Sequence, residues 1–125
     1  MREWRGKQKA IFFRGLSVLL NSGVHIIQAL DSLAQQSIDE AARRTVEGIS
    51  TRISSGFPLH KAMQAERVFS ALEVGLVRVG ERSGSLHSIL QRLADATEAQ
   101  DGLRRKLAAA LVYPARPATS TLWAL

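Results

Sequence analysis

The sequence predicts an all-α fold, a compact six-helix bundle built from antiparallel helical hairpins. Apolar residues recur at helical spacing through almost the whole chain, and no segment alternates between apolar and polar residues as a half-buried strand would. Ser-Gly pairs at 22–23, 55–56 and 83–84 mark helix ends, because glycine adopts the left-handed conformation that terminates a helix at little cost. Such short turns place consecutive helices in antiparallel or sharply crossed pairs.

Six apolar stripes define the predicted helices in chain order. They run over Phe12–Leu20, Ile26–Ala34, Ala42–Ile53, Leu59–Met63, Phe69–Val79 and Leu86–Leu93, and the last stripe continues through Leu103, Leu107 and Leu111. Start signals accompany three of them. Ser37 with Glu40, and Ser70 with Glu73, have the spacing of a capping box, which predicts the starts of the third and fifth helices. Pro58 suits the first turn of the fourth helix.

Four glycines fall inside the predicted helices, namely Gly15, Gly48, Gly75 and Gly102. Each costs about 1 kcal/mol relative to alanine in a helix interior. A helix keeps such a residue where another backbone approaches closely or where it kinks. The neighbour is either a helix of the same chain or a partner subunit, and the sequence leaves both open.

Length and composition bound the function. The 125 residues amount to one domain, and 17 Lys+Arg against 11 Asp+Glu give a net charge of +6, which favours nucleic acid, anionic lipid or an acidic protein as a neighbour. The absence of cysteine excludes disulfides, zinc thiolate sites and cysteine nucleophiles. No apolar stretch reaches the roughly 18–20 residues that span a bilayer, and the N-terminus is interpreted as a mature cytosolic start.

No motif for catalysis is present. The sequence lacks a G-x-S-x-G elbow and a phosphate-binding loop, and Gly80 and Gly84 are interpreted as parts of an interhelical turn. The three histidines are expected in the first turns of helices. Asp95 and Glu98 are expected on a solvated helix face, paired with Arg92 or Arg105, in preference to a cation site. We therefore predict no catalytic residue, no cofactor and no metal.

Nucleic-acid binding by a small basic helical protein is the alternative function. The predicted third helix carries Arg43, Arg44 and Arg52, which a recognition helix would need. Acidic residues are interspersed with them, at Asp39, Glu40 and Glu47, and this pattern is typical of a solvated face with local ion pairs. No nucleic-acid partner is therefore expected.

The order of these features resembles the cytoplasmic domain of the type II secretion F family. The domain begins with an aromatic residue, an arginine and a leucine-rich helix, which lead into a Gly-Val turn. A G-x-x-L-x-x-A segment follows. The domain ends with a Gly-Glu-x-Ser-Gly signature and a basic, alanine-rich exit helix. The matching residues are Phe12, Phe13, Arg14, Leu16, Leu19, Leu20, Gly23, Val24, Ala29, Leu30, Leu33, Gly56, Leu59, Ala62, Phe69, Gly80, Glu81, Ser83, Gly84, Leu86, Leu90, Leu93, Tyr113 and Pro114.

The resemblance implies a non-enzymatic docking module of an inner-membrane platform protein, on the cytoplasmic face of the membrane. Its implied partners are the secretion or pilus assembly ATPase, other platform proteins and further copies of the domain. The predicted partner-binding residues are Glu81, Arg82, Arg43, Arg44 and Glu47, and the predicted turn glycines are Gly23, Gly56, Gly80 and Gly84. The cations Arg104, Arg105 and Lys106 are expected near the anionic membrane surface.

The domain division follows from the same resemblance. Residues 1–9 are predicted to be a basic N-terminal segment, and residues 10–113 the helical domain. Family members continue from there into a transmembrane helix, whereas Arg116 and Pro117 are poor residues for membrane entry. Residues 114–125 are therefore expected to be a divergent or truncated tail. Glu81 is expected to bond backbone amides of its own turn or to pair with Arg82, if it does not contact a partner.

Overall fold

Six α-helices follow one another in the computed structural model, which describes residues 4–112. They are α1 Gly6–Asn21, α2 Ile26–Gln36, α3 Glu40–Ser54, α4 Leu59–Glu66, α5 Ala71–Ser83 and α6 Leu86–Val112. This part of the chain contains no β-strand, and the predicted all-α fold and number of helices are confirmed. The first helix begins inside the segment 1–9, and the predicted tail 114–125 lies outside the described residues.

The helices pack in chain order and close into a ring. Each one contacts the next, and α1 lies along α6 in the most extensive interface of the described chain. These two helices are antiparallel, because Gly6 lies against Asp101 whereas Arg14, two turns further along α1, reaches back to Asp95. The long helix α6 therefore continues past the start of α1 at its C-terminal end. No helix between residues 4 and 112 has the length and apolarity needed to cross a membrane.

An aromatic cluster joins the start of the described chain to the connection between α4 and α5. Trp4, Phe12, Phe13 and Phe69 have ring centroids 5.2–5.8 Å apart, within the range of favourable edge-to-face and tilted contacts. The indole of Trp4 is held in place by its own backbone, whose N–H donates to the carbonyl of Val68 at 2.9 Å. The remaining core consists of aliphatic side chains from every helix, among them Leu16, Leu30, Ile49, Met63, Val77 and Leu90.

The helix ends follow most of the predicted signals. Gly23, Gly56 and Gly84 have φ of +89°, +104° and +76°, so all three predicted helix-terminating turns are confirmed. The capping box at the start of α5 is also confirmed. The N–H of Glu73 donates to the Ser70 hydroxyl at 3.1 Å, and the Glu73 carboxylate accepts from the Ser70 N–H at 2.8 Å.

The predicted capping box at Ser37 is wrong. The residue that precedes α3 is Asp39, whose Oδ1 accepts from the N–H of Ala41 at 3.1 Å. Ser37 instead terminates α2 in an extended conformation, and its hydroxyl donates to the carbonyl of Asp39 at 3.1 Å. Ser37 ends α2 and does not also begin α3. The charged carboxylate of Asp39 is the stronger acceptor for the first N–H groups of α3.

The interior glycines fall into two groups. A Cβ at Gly15 would lie 2.5 Å from a methyl carbon of Leu33, and a Cβ at Gly48 would collide with the Glu66 carboxylate. These two glycines therefore allow close packing inside the chain. No described atom outside the local helix lies within 4 Å of a Cβ placed at Gly75 or Gly102, so neither has a packing partner in this part of the molecule.

Candidate functional site

Glu81 in α5 caps the N-terminus of α4. Its two carboxylate oxygens accept from the backbone N–H groups of Leu59 at 2.7 Å and His60 at 3.0 Å. One of them also lies 2.6 Å from Nδ1 of His60. Pro58, at the N-cap position, offers no side-chain cap. A carboxylate from another helix therefore satisfies amides that α4 cannot satisfy itself and complements the positive end of its dipole.

This arrangement corrects the expected local role of Glu81. Its hydrogen bonds connect residues 21 and 22 positions apart, so they do not lie within its own turn, and no ion pair to Arg82 is present among residues 4–112. The side chain is largely buried, with 22% of its surface exposed. Arg82, the next residue in the helix, is exposed.

Gly80 is not a turn glycine, contrary to the prediction. It is buried within α5 and lacks a positive φ. A Cβ at this position would lie 3.0 Å from Cγ1 of Ile89 and 3.1 Å from the backbone Cα of Leu86. Gly80 therefore lets α5 approach the first turn of α6 closely, and the reversal itself occurs at Gly84. The spacing of two glycines alone could not separate these roles.

Replacing Gly80 by alanine is expected to lower the free energy of unfolding by about 1 kcal/mol, because crowding against the Leu86 backbone outweighs the gain in helix propensity. Urea unfolding followed by circular dichroism measures the change. Gly102→Ala is the matched control, since its new methyl group enters open space and only the stabilising propensity effect remains. A Gly80→Ala variant as stable as Gly102→Ala would contradict the close approach.

The predicted partner-binding residues of α3 lie on its outer surface. Arg44 and Glu47 are exposed, and Arg43 is partly buried. Glu40 lies 4.0 Å from Arg43 and 3.8 Å from Arg44, at helical spacing. The exposed Glu40–Arg44 pair contributes little to stability, so Arg44 and Glu47 are available for contacts with other molecules. Arg43 is less so, because its Nη2 donates to the carbonyl of Ser37 at 3.4 Å.

The cations Arg104, Arg105 and Lys106 are exposed on the part of α6 that extends past α1. Arg105 approaches Asp101 at 3.6 Å, one turn earlier in the helix. Leucines of the same segment are also exposed, namely Leu103, Leu107 and Leu111. This end of α6 therefore presents basic and apolar side chains together.

An ion cluster between α1 and α6 replaces the pairing expected within α6. Arg14 donates to both oxygens of Glu98 at 2.9 and 2.8 Å and also to Asp95. The hydrogen bonds from Arg14 hold the pKa of Glu98 below its ordinary value of 4.5, and the two carboxylates raise the pKa of Arg14 further above its usual range. Neither Arg92 nor Arg105 was the partner, because the antiparallel packing places Arg14 beside both acids.

The lowered pKa of Glu98 predicts a stability contribution that depends on pH. Because the folded pKa lies below the unfolded one, the contribution is complete above about pH 5 and is lost as the pH falls through the folded pKa. We expect Glu98→Gln to reduce stability at pH 7, and the difference from wild type to shrink as the pH falls below the unfolded pKa of Glu98. Thermal unfolding across pH 3–7 measures the difference. A constant difference across this range would contradict the Arg14 pairing.

A second ion pair, between Lys9 in α1 and Glu73 in α5, was not anticipated from the sequence. The Lys9 ammonium lies 3.0 Å from the Glu73 carboxylate, and the two side chains are only 9% and 13% exposed. Glu73 thereby completes its own helix cap and neutralises a buried cation. The only sequence signal was a lysine in register with the apolar stripe of α1.

Comparisons with known proteins agree on one family. The family "Type II secretion system (T2SS), protein F" matches residues 12–118. The chain is 38% identical over 108 residues to the type IV pilus assembly protein PilC of Thermus thermophilus, covering 86% of this chain and 27% of that protein. It is 36% identical over 105 residues to the type II secretion system protein F of Xanthomonas campestris, covering 83% and 26%.

A third relative, the type IV pilus assembly protein TapC of Aeromonas hydrophila, is 33% identical over 107 residues, covering 85% of this chain and 26% of its own. The chain thus spans about a quarter of the length of the curated relatives it matches. Two of these relatives are named for type IV pilus assembly and one for type II secretion. Since the family match extends over most of the chain, this protein is a member of the type II secretion system protein F family.

Proposed function

We propose that this chain is a non-enzymatic cytoplasmic interaction domain of an inner-membrane platform protein in type II secretion or type IV pilus assembly. In this role it docks the assembly ATPase and other platform subunits. The observation that carries the proposal is the membership of the chain in a family whose members are named for these two systems. A rigid helical bundle with charged outer faces is suited to transmitting a displacement between two bound partners.

The use of polar groups in the described residues supports binding in preference to catalysis. The carboxylates of Glu73, Glu81 and Asp39 accept hydrogen bonds from backbone N–H groups at helix N-termini. They stabilise the fold there, and this use does not suit a general base that must accept a proton from a substrate. Arg82, by contrast, is exposed. Among the residues predicted for partner contact, we therefore favour the arginines over Glu81.

A pull-down of the cognate assembly ATPase by the full chain tests the proposal. We expect retention of the ATPase by wild type and a clear loss with Arg82→Glu. Arg5→Glu, which reverses an exposed charge at the start of the bundle, is the control and should bind as wild type does. Absence of retention by wild type in the presence and absence of nucleotide would overturn the ATPase role.

We further propose that the chain binds at a membrane surface and that it associates with further copies of itself. The basic residues 104–106, beside the exposed leucines of the same helix, suit an anionic bilayer, since each basic residue near such a surface contributes about 1 kcal/mol. Co-sedimentation with vesicles that contain or lack anionic lipid measures this contact, and equal binding to both would contradict it. Nucleic-acid binding, the alternative, would instead weaken steeply with salt concentration.

A further inference from the structure

One face of α5 is turned away from the rest of the described chain. It consists of Leu72, Gly75, Arg78, Val79 and Arg82, which together cover about 120° of the helix circumference, and we call it the α5 outer face. All five residues are exposed. Leu72 and Val79 are 71% and 55% exposed, although both belong to the apolar pattern that predicted this helix.

The charge on the α5 outer face is entirely positive. Both acidic residues of the helix, Glu73 and Glu81, point inward and are engaged by Lys9, the Ser70 amide and the N-terminus of α4. Neither arginine of the face forms an ion pair or a side-chain hydrogen bond within residues 4–112. Two arginines four residues apart, about 6 Å along the axis, thus stand beside an apolar strip with no internal counter-charge.

Gly75 lies in the middle of this face. Gly15, Gly48 and Gly80 each meet a side chain of their own chain where a Cβ would stand, whereas the space beside Gly75 is open. Glycine weakens a helix interior, and no contact within the described bundle explains why α5 carries one here. A glycine between Leu72 and Val79 forms a shallow notch, into which a second helix can approach more closely than other side chains would allow.

We propose that the α5 outer face docks an amphipathic helix of another protein, one that carries two carboxylates four residues apart beside an apolar stripe. The carboxylates pair with Arg78 and Arg82, and the apolar stripe packs on Leu72, Val79 and the notch at Gly75. The notch favours a helix over an anionic bilayer, because a fluid surface gains nothing from a missing side chain. The inference rests on the proposed function, since it names the surface through which this domain binds a component of the machine.

Site-specific photocross-linking in cells that make the protein tests the surface. We place p-benzoyl-phenylalanine at Leu72 of the chain and identify the linked peptide by mass spectrometry. The expected peptide comes from another protein and contains two acidic residues four apart in a helical segment. A peptide from a second copy of this chain, a lipid adduct, or a yield no greater than that from the exposed position of Gln35 in α2 would overturn the proposal.

Two pairs of variants make the test specific to the α5 outer face. Gly75→Leu should raise the Tm, because leucine is the better helix former, and should nonetheless reduce cross-linking at least about fivefold by filling the notch. The matched Gly102→Leu should leave cross-linking unchanged. Arg78→Glu with Arg82→Glu should reduce it about tenfold, whereas Arg5→Glu, at the exposed start of the bundle, should not. Undiminished cross-linking in either α5 variant would refute the docking geometry.

The outcomes also separate this inference from the proposed function. Retention of the assembly ATPase by the chain, together with no acidic-helix adduct at Leu72, would refute the surface and leave the function intact. An acidic-helix adduct from a protein outside secretion and pilus assembly would support the surface and refute the proposed function.

Discussion

Replacing Glu73 by alanine is expected to lower the free energy of unfolding by about 3 kcal/mol. The variant loses the capping box of α5 and also removes a carboxylate from a lysine that is only 9% exposed. A lost cap costs about 1 kcal/mol. Removing one partner of an ion pair costs about 3–5 kcal/mol at full burial, and we expect about 2 kcal/mol here because both side chains keep some access to water. Urea unfolding at pH 7 measures the sum.

Two further variants divide this effect between its causes. Glu73→Gln keeps an acceptor at the third position of the helix, which a capping box permits, and removes only the charge. Lys9→Met combined with Glu73→Gln removes both charges at similar volume, and such replacements of buried pairs are often neutral. We therefore expect Glu73→Gln to be strongly destabilised and the double variant to recover most of the loss.

The exposed residue Glu47 provides the control for this series. Glu47→Ala should change stability by no more than about 0.5 kcal/mol, as surface substitutions usually do. If Glu73→Ala were equally mild, the Lys9–Glu73 pair would contribute no stability, and the burial of the two side chains would need another explanation.

Replacing Glu81 by alanine is expected to lower the free energy of unfolding by about 2 kcal/mol. The backbone amides of Leu59 and His60 lose their acceptor, and Pro58 cannot replace it. Leaving partly buried amides unsatisfied costs more than the hydrogen bonds themselves contribute. Glu81→Gln should have an intermediate effect, because its amide oxygen can accept from one of the two N–H groups.

Amide hydrogen exchange distinguishes this role from a general loss of packing. In Glu81→Ala, the Leu59 and His60 amides should exchange much faster, whereas those of α1 and α6 should change only in proportion to global stability. Protection of Leu59 and His60 as in wild type would contradict the cap. A loss of ATPase binding in this variant would follow from displacement of α4, so Arg82→Glu is the cleaner probe of a docking contact.

The sequence alone determined the features that depend on neighbours within about five residues. Periodicity fixed six helices, the Ser-Gly pairs fixed three left-handed turns, and the spacing of Ser70 and Glu73 fixed one capping box. Each of these features depends on residues close together in the chain, through backbone hydrogen bonds or the spacing of apolar side chains. The local sequence is therefore enough to predict it. Where two local signals competed, as at Ser37 and Asp39, the sequence did not determine which residue would cap the helix.

Only the tertiary structure decided what the charged residues and glycines do. Glu81 caps a helix 21 residues earlier, Arg14 meets Glu98 across 84 positions, and Lys9 is neutralised by Glu73. Gly80 faces the bundle whereas Gly75 faces outward, although both lie in the same helix. A residue's charge or missing side chain is visible in the sequence, but its partner is set by which helices pack together. That packing depends on the burial of the whole core, which no local spacing encodes.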